Sequence, residues 1–314
     1  MKCNYSVFAR LIVGFAGVLI ALMIAPSLAF AQQDAYGAVT GAAMGDCTKN
    51  VELGVGIVRA GMPWWQLQPN GPGTIDWSYQ DSIFDCFVNN GIKIYWSLAD
   101  APVWAGGGND HHHVPNYQAW MDFVHQAITH NYTRYGNSIT FGIWNEPEGD
   151  FLNGCPSVYV NKGHCWGVLL WEPAAAIRAV YAPGARLGGP EMGTLDDRFD
   201  WALTMMSNSL QPQDVITTHW YNFYPGLIGW MDTAISKAGN RETWLTETGY
   251  IDGCSESAQA NTIDSIASTF DNRSNPHWAK LFIYVVAQNT LCASLVRSDG
   301  SNKPAFDVYQ THIP

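Results

Sequence analysis

Apolar residues in this chain fall into two alternating patterns. Short, nearly continuous apolar runs read as buried strands; longer stretches with apolar positions three or four residues apart read as helices packed by one face. Residues 56–59, 92–98, 139–144, 214–218, 242–246 and 279–286 are of the first kind. Two weaker runs, the Gly- and Ala-rich 35–43 and the 186–190 stretch ending in Gly188-Gly189-Pro190, stand where strands are due. Helical spacing shows in Ile83, Phe84, Phe87 and Val88, with a cap at Asp76 or Ser78 and Gly91 past the end. It shows again in Trp120, Phe123, Val124, Ala127 and Ile128. Pro173 suits the first residue of a helix over 173–181, which Pro183-Gly184 stops. Residues 197–208, 227–237, 258–270 and 304–311 continue the series, and a short or irregular helix sits near 47–53. Strand and helix thus alternate about eight times, with no linker, charge run or low-complexity break. The pattern predicts one α/β domain over 32–314, a single (β/α)8 TIM barrel. An open doubly wound sheet would show a Gly-rich nucleotide turn after an early strand. The cluster Gly106-Gly107-Gly108 lacks the lysine and the helix-start context of such a turn.

The start of the chain belongs to a different pattern. Lys2 and Arg10 precede a stretch that is nearly all apolar to Ala25, and Ala29-Phe30-Ala31 follows. That is the layout of a secretory signal over residues 1–31, cleaved after Ala31, with an uncleaved membrane anchor as the alternative. Removing 31 of the 314 residues leaves 283 and takes away two basic side chains, moving the net charge from −11 to −13. Such acidity argues against a nucleic-acid or anionic-membrane partner. The expectation is a monomer, secreted or periplasmic, without stable membrane association after cleavage. Of the 7 cysteines, Cys3 leaves with the signal. Cys47, Cys86, Cys155, Cys165, Cys254 and Cys292 remain, an even number in an oxidising compartment, so disulfides are expected. Their pairing is open, although Cys155 with Cys165 would close a short loop; buried free thiols are the alternative. No C-x-x-C spacing occurs, so no zinc or other metal site is expected.

The chemistry lies where strands stop. The run 139–144 ends abruptly at Asn145-Glu146-Pro147, and Pro147 forbids its continuation as an interior strand. The run 242–246 ends at Glu247. The two glutamates are 101 residues apart, which is three strand–helix units. They should therefore end the fourth and seventh strands and face each other across the mouth of the barrel. Carboxylates so placed can divide acid and nucleophile roles in glycoside cleavage. Glu148, past the proline, is expected to face solvent. Trp64, Trp65, Trp104 and Trp220 follow strand ends, so some of them should line the cleft, where indole stacks on the C–H face of a pyranose. His111-His112-His113 reads as a solvated loop.

Trp144-Asn145-Glu146-Pro147, Leu245-Thr246-Glu247 and His219-Trp220-Tyr221 together resemble the clan A retaining glycoside hydrolases. Val58-Arg59, Pro63-Trp64, Ile75-Asp76-Trp77 and the stretch from Ser97 to Ala105 are most similar to family 39 and neighbouring cellulase-like members. The resemblance spans roughly Gly54 to Tyr284 and implies a (β/α)8 barrel acting on a β-linked glycan without a cofactor. It implies that Glu146 is the acid and base, held protonated partly by the charge of Glu247, and that Glu247 is the nucleophile. Asn145 would bond the sugar 2-hydroxyl and Tyr221 would orient Glu247. Arg59 would sit beneath Glu247, and His219 would line the floor. Trp64 and Trp104 would contact substrate. Many clan members carry a cleft tryptophan at the end of the last strand; here Tyr284 or Gln288 would take that place. An endo-acting enzyme on a polysaccharide is the preferred expectation. An exo-acting β-xylosidase and a non-catalytic carbohydrate-binding protein on the same barrel are the alternatives.

Overall fold

In the computed structural model, eight strands pair in chain order and in parallel, and the last closes on the first. The structure describes residues 33–41, 44–221, 226–251, 253–286 and 292–314. The expected signal segment, 1–31, lies outside them, as does Gln288. The strands are β1 (Tyr36–Val39), β2 (Ile57–Arg59), β3 (Lys93–Leu98), β4 (Ile139–Ile143), β5 (Arg186–Met192), β6 (Val215–Trp220), β7 (Thr243–Thr248) and β8 (Trp278–Ile283). Between and after them run α1 (Met44–Leu53), the short α2 (Trp64–Leu67), α3 (Ser78–Asn89), α4 (Tyr117–Tyr135), α5 (Lys162–Trp166), α6 (Glu172–Tyr181), α7 (Asp197–Ser207), α8 (Leu227–Lys237), α9 (Glu256–Asp271) and α10 (Pro304–His312). The helices bury their apolar stripes on the outside of the barrel: on α4, Trp120, Phe123, Val124, Ala127 and Ile128 are all buried. Asn116 starts that helix by accepting the backbone N–H groups of Gln118 and Ala119.

The helix expected over 173–181 begins earlier than its proline. Helical backbone runs from Lys162, with a wide π turn over Gly167–Trp171 just before Pro173. Such a turn absorbs the hydrogen bond that proline cannot donate. Three disulfides form: Cys47–Cys86, Cys155–Cys165 and Cys254–Cys292. The first ties α1 to α3. The second staples the loop after β4 to α5, and the third joins the loops that follow β7 and β8.

Strand β5 explains why its sequence reads poorly. Ile57, Tyr95, Val215, Trp244 and Phe282 pack together inside the barrel. A Cβ at Gly188 would overlap the Tyr95 ring, and one at Gly142 would overlap the Tyr95 hydroxyl and a carboxylate oxygen of Glu191. Glycine at these positions makes room for side chains reaching in from neighbouring strands. The strand also runs on past Pro190 to Met192, where the expectation ended at 190. Its register with β6 shifts between Pro190 and Met192, leaving Glu191 out of the paired ladder. At the opposite end of the barrel the buried Arg178 pairs with the buried Asp214 at 2.9 Å, and Asp214 also accepts the Leu187 and Gln211 N–H groups. Among the described residues no helix is long and apolar enough to cross a membrane.

Candidate active site

The polar side chains that lack an explanation in the fold meet at the carboxyl ends of the strands. Glu247, the penultimate residue of β7, is held from two sides. Arg59, the last residue of β2, ion-pairs with its Oε1, and the Tyr221 hydroxyl donates to its Oε2 at 2.7 Å. Burial, and then the charge of Glu247, push the Tyr221 hydroxyl far above its ordinary value, so it stays a donor. Burial alone would favour a neutral Arg59; the charges of Glu191 and Glu247 outweigh it and keep the guanidinium ionised. Arg59 Nη2 also donates to Asn145 Oδ1 at 2.7 Å.

Glu191 is the member of this cluster that sequence reasoning missed. It is fully buried and takes Arg59 Nη2 at 2.6 Å, Arg59 Nε at 3.1 Å, the Tyr95 hydroxyl at 2.7 Å and the Ser97 hydroxyl at 2.8 Å. Burial raises its carboxyl, but the charge of Arg59 leads a set of neighbours that hold it below the ordinary range. Its backbone is in the left-handed region (φ 54°), as are Trp144 (φ 68°) and Glu146 (φ 38°). Conformations of that kind in residues other than glycine persist where the surroundings over-determine them, and they gather at functional sites. The signal was present: Leu187 to Glu191 is another apolar run that stops at a carboxylate. The Gly-Gly-Pro within it reads as a strand breaker.

Glu146 lies across the mouth. Its Oε1 is 2.8 Å from His219 Nδ1, and its N–H donates to the Glu191 carbonyl at 3.2 Å. His219 is completely buried and, because the β6–β7 register skips Thr246 of β7, stands opposite Glu247. Its Nδ1 is 3.7 Å from Glu247 Oε2; its Nε2 makes no hydrogen bond among the described residues and is 3.8 Å from Glu191 Oε2. Burial pushes the imidazole down, but the charge of Glu247 and the contacts with Glu146 and Glu191 raise it to about 9. The expectation that Glu146 is held protonated needs correction. Burial raises its carboxyl, yet the His219 hydrogen bond and the charges of His219 and Arg59 win and hold it below its ordinary value.

The cleft has a volume of about 480 Å³ and is lined by Arg59, Ser97, Asn145, Glu247 and Tyr284 at its inner end and by Gln66, Asp100, His112 and Phe151 farther out. Tyr284 meets the Tyr221 ring edge-on, with ring centroids 5.9 Å apart. Two of the expected aromatic contacts are not brought here. Trp64 is fully buried, stacked on Phe123 with centroids 4.5 Å apart, and its N–H goes to Gln68. Trp104 meets Trp64 edge-on and gives its N–H to the Gln68 carbonyl, so it lines a separate groove beside α4. Both indoles turn away from the cleft and toward each other, where an apolar contact gains more than exposure. Trp65 stacks on His111, and Trp220 packs on Trp230. The loop expected to be merely solvated is partly organised: His112 packs on Phe151, and residues 112 and 114 exchange backbone hydrogen bonds with Asn153. Glu148 does not face solvent. It is buried, accepts the Gly193 N–H, and has its carboxyl raised by burial.

An oxygen of Glu146, a nitrogen of His219 and an oxygen of Glu247 all lie within 4.8 Å of one another, close enough to hold a metal ion. Arg59 already supplies Glu247 with a cation, and His219 Nδ1 is committed to Glu146. The donor set therefore fits a shared proton and a fixed carboxylate better than a divalent ion.

The glycosyl hydrolase catalytic core family matches the chain over residues 86–309. A comparison with curated protein sequences finds no match. Among solved structures, the chain is similar to a GH39 enzyme from Xanthomonas axonopodis pv. citri, at 15% identity and TM-score 0.72, over 88% of this chain and 65% of that one. It is similar to a GH30 endoxylanase from Clostridium papyrosolvens C71, at 16% identity and TM-score 0.62, over 89% of this chain and 71% of that one. A family 39 glycoside hydrolase from Bacteroides cellulosilyticus WH2 matches at 14% identity and TM-score 0.62, over 90% and 64% of the two chains. The chain thus spans slightly less than two thirds of both family 39 structures, and at these identities the likeness is one of fold.

Proposed function

Because the chain belongs to the glycosyl hydrolase catalytic core family, we propose that it hydrolyses β-glycosidic bonds with retention, using Glu247 as nucleophile and Glu146 as acid and then base. One observation carries the reading: an oxygen of each of the two carboxylates lies within 4.8 Å of the other. Retaining sites hold their carboxyl groups about 5–5.5 Å apart, whereas inverting sites leave about 6.5–9.5 Å for a water molecule.

In the first displacement a Glu247 oxygen bonds to the anomeric carbon. The bond from that carbon to the leaving-group oxygen breaks, and the oxygen takes a proton from Glu146. In the second, Glu146 takes a proton from water as the water oxygen attacks the same carbon and Glu247 departs. Arg59 and Tyr221 support the first step, since both donate to Glu247 and favour its ionised form. His219 stores the proton and returns it to Glu146 along their 2.8 Å contact. Asn145, tied to Arg59 through its oxygen, has its side-chain nitrogen left to meet the sugar 2-hydroxyl. No step calls for a cofactor.

The substrate is a β-linked glycan, cut internally. The open cleft, running out to Phe151, supports an endo mode over removal of terminal xylose. Action outside the cytoplasm, after removal of residues 1–31, is supported by the three disulfides. The test is chemical rescue. With azide and an aryl β-glycoside, Glu146→Ala should yield a β-glycosyl azide and Glu247→Ala an α-glycosyl azide. Unaltered turnover in either variant would sink the assignment.

A further inference from the structure

Beyond the two catalytic carboxylates, the outer cleft holds a charged group with no internal use. Asp100 follows β3 by two residues and lines the cleft wall. Its backbone is left-handed, at φ 63°. That conformation is fixed from outside: the Trp64 N–H donates to the Ala99 carbonyl and the Trp65 N–H to the Asp100 carbonyl, each at 3.0 Å, so α2 clamps the end of β3. Local strain of about 1–3 kcal/mol is tolerated where the fold over-determines it, and it is a pointer to function. Here it aims a carboxylate into the cleft.

That carboxylate is poorly served by the protein. Its side chain is 33% exposed, it accepts no hydrogen bond among the described residues, and the His112 Nε2 stands 3.8 Å from it. Burial raises the carboxyl above its ordinary value, a sign that desolvation is not made good by donors. A half-desolvated carboxylate without donors is a site for a ligand that brings them. What stands around it fits a sugar ring: the Phe151 ring, partly exposed, with the His112 imidazole packed on it, and the amide of Gln66. Glu247 and Asp100 line the same cleft, with Arg59 the cation among its inner lining, so an anionic sugar unit would meet like charge.

We propose that Asp100 is a specificity-determining residue that accepts hydrogen bonds from the hydroxyl groups of an uncharged sugar unit, the one adjoining the unit held between Glu146 and Glu247. This deepens the glycoside hydrolase reading and rests on it for the position of the neighbouring unit. It makes the substrate a neutral β-linked chain, gripped by at least two consecutive units.

Binding separates the two ideas. The parent is the Glu247→Gln protein, which cannot turn substrate over; the probes are cellotetraose and xylotetraose, with p-nitrophenyl β-glucoside and β-xyloside as one-unit ligands. Asp100→Gly keeps the left-handed backbone while removing the carboxylate, and Asp100→Asn keeps its shape. Calorimetric titration should show the parent preferring a tetrasaccharide over the one-unit glycoside. That preference should fall roughly tenfold to a hundredfold in Asp100→Gly, the range for a lost hydrogen bond to a charged group, and by less in Asp100→Asn. Melting curves of both variants check that the barrel is intact. Equal preference in parent and variants overturns the role of Asp100, as does failure of the parent to bind either tetrasaccharide. If binding depends on Asp100 while the protein with Glu247 restored cleaves no glycoside, the hydrolase reading falls and the Asp100 site stands.

Discussion

Glu146, three residues past the end of β4, and Glu247, inside the end of β7, are the same residue type, yet the two glutamates live in different surroundings. Glu247 has both oxygens occupied, one by Arg59 and one by Tyr221, and its side chain is 11% exposed. Neither partner exchanges a proton at ordinary pH, so the arrangement is permanent. Glu146 has one oxygen on His219, which titrates, and the other makes no hydrogen bond among the described residues; its side chain is 26% exposed. On the proposed mechanism, the β7 end holds a charge still and the β4 end passes a proton. Environment, rather than residue type, divides the labour between paired carboxylates.

The sharpest way to break this comparison is to remove each glutamate and vary the leaving group. Glu247→Ala should lose on the order of 10⁴- to 10⁶-fold in kcat/KM on every substrate, because in the proposed mechanism no other group forms the covalent bond. Glu146→Ala should lose about 10²- to 10⁴-fold on a substrate with a poor leaving group. On a 2,4-dinitrophenyl glycoside, whose leaving group departs without a proton, most of that second loss should vanish. Steady-state kinetics with the two substrate types reads the difference. If both variants respond alike to the leaving group, the two ends do not have separate tasks.

A smaller effect is expected one residue pair deeper. Glu191 takes Arg59 from the side opposite to Glu247, so the guanidinium is stretched between two carboxylates. Breaking a buried ion pair by removing one partner costs about 3–5 kcal/mol. Glu191→Gln keeps the volume and some hydrogen bonds, so the expected loss is near the bottom of that range, about 3 kcal/mol, in denaturant unfolding. Activity should fall as well, since Arg59 is then free to bind Glu247 more tightly and blunt it as a nucleophile. Full stability in Glu191→Gln would show that Arg59 does not depend on Glu191 for its place.

How far the sequence discloses this cluster follows from what each residue needs. Glu146 and Glu247 end apolar runs, and their spacing alone puts them across a barrel mouth. Arg59, His219 and Tyr221 stand at strand ends as well, and the structure brings all three to the pair. Glu191 obeys the same rule, but its strand carries glycine because the Tyr95 ring fills the space a side chain at Gly188 would take and the Trp166 ring the space at Gly189. Propensity describes a strand by itself and knows nothing of a neighbour reaching into it. Trp64 and Trp104 illustrate the converse. Position after a strand says that a side chain is near the mouth, not whether it turns toward the cleft or under the loop; Phe123 and Gln68, from distant and local sequence, decide that. Asp100 hides for a third reason. Its significance is the donors it lacks, which no pattern of residues displays.

The finest distinction between the two ends is protonic, and His219 exposes it. In the native protein the imidazole keeps its proton up to about pH 9, whereas in the unfolded chain histidine loses it near pH 6.5. The folded pKa is the higher, so the stability it contributes is complete below about pH 6.5 and is lost as pH rises through about 9. His219→Asn should remove that slope from a series of unfolding curves taken across this window. The same proton governs rate. As long as the Glu146–His219 pair holds one proton, Glu146 can receive it, so the alkaline limb of kcat/KM belongs to the pair and lies high. Asparagine leaves Glu146 to hold the proton alone, with only burial to help. The limb should then move to lower pH by more than about one unit, while the rate on the acid side changes less. A limb that stays in place in His219→Asn would mean that the proton never passed through the imidazole, and that the β4 end holds its charge as fixedly as the β7 end.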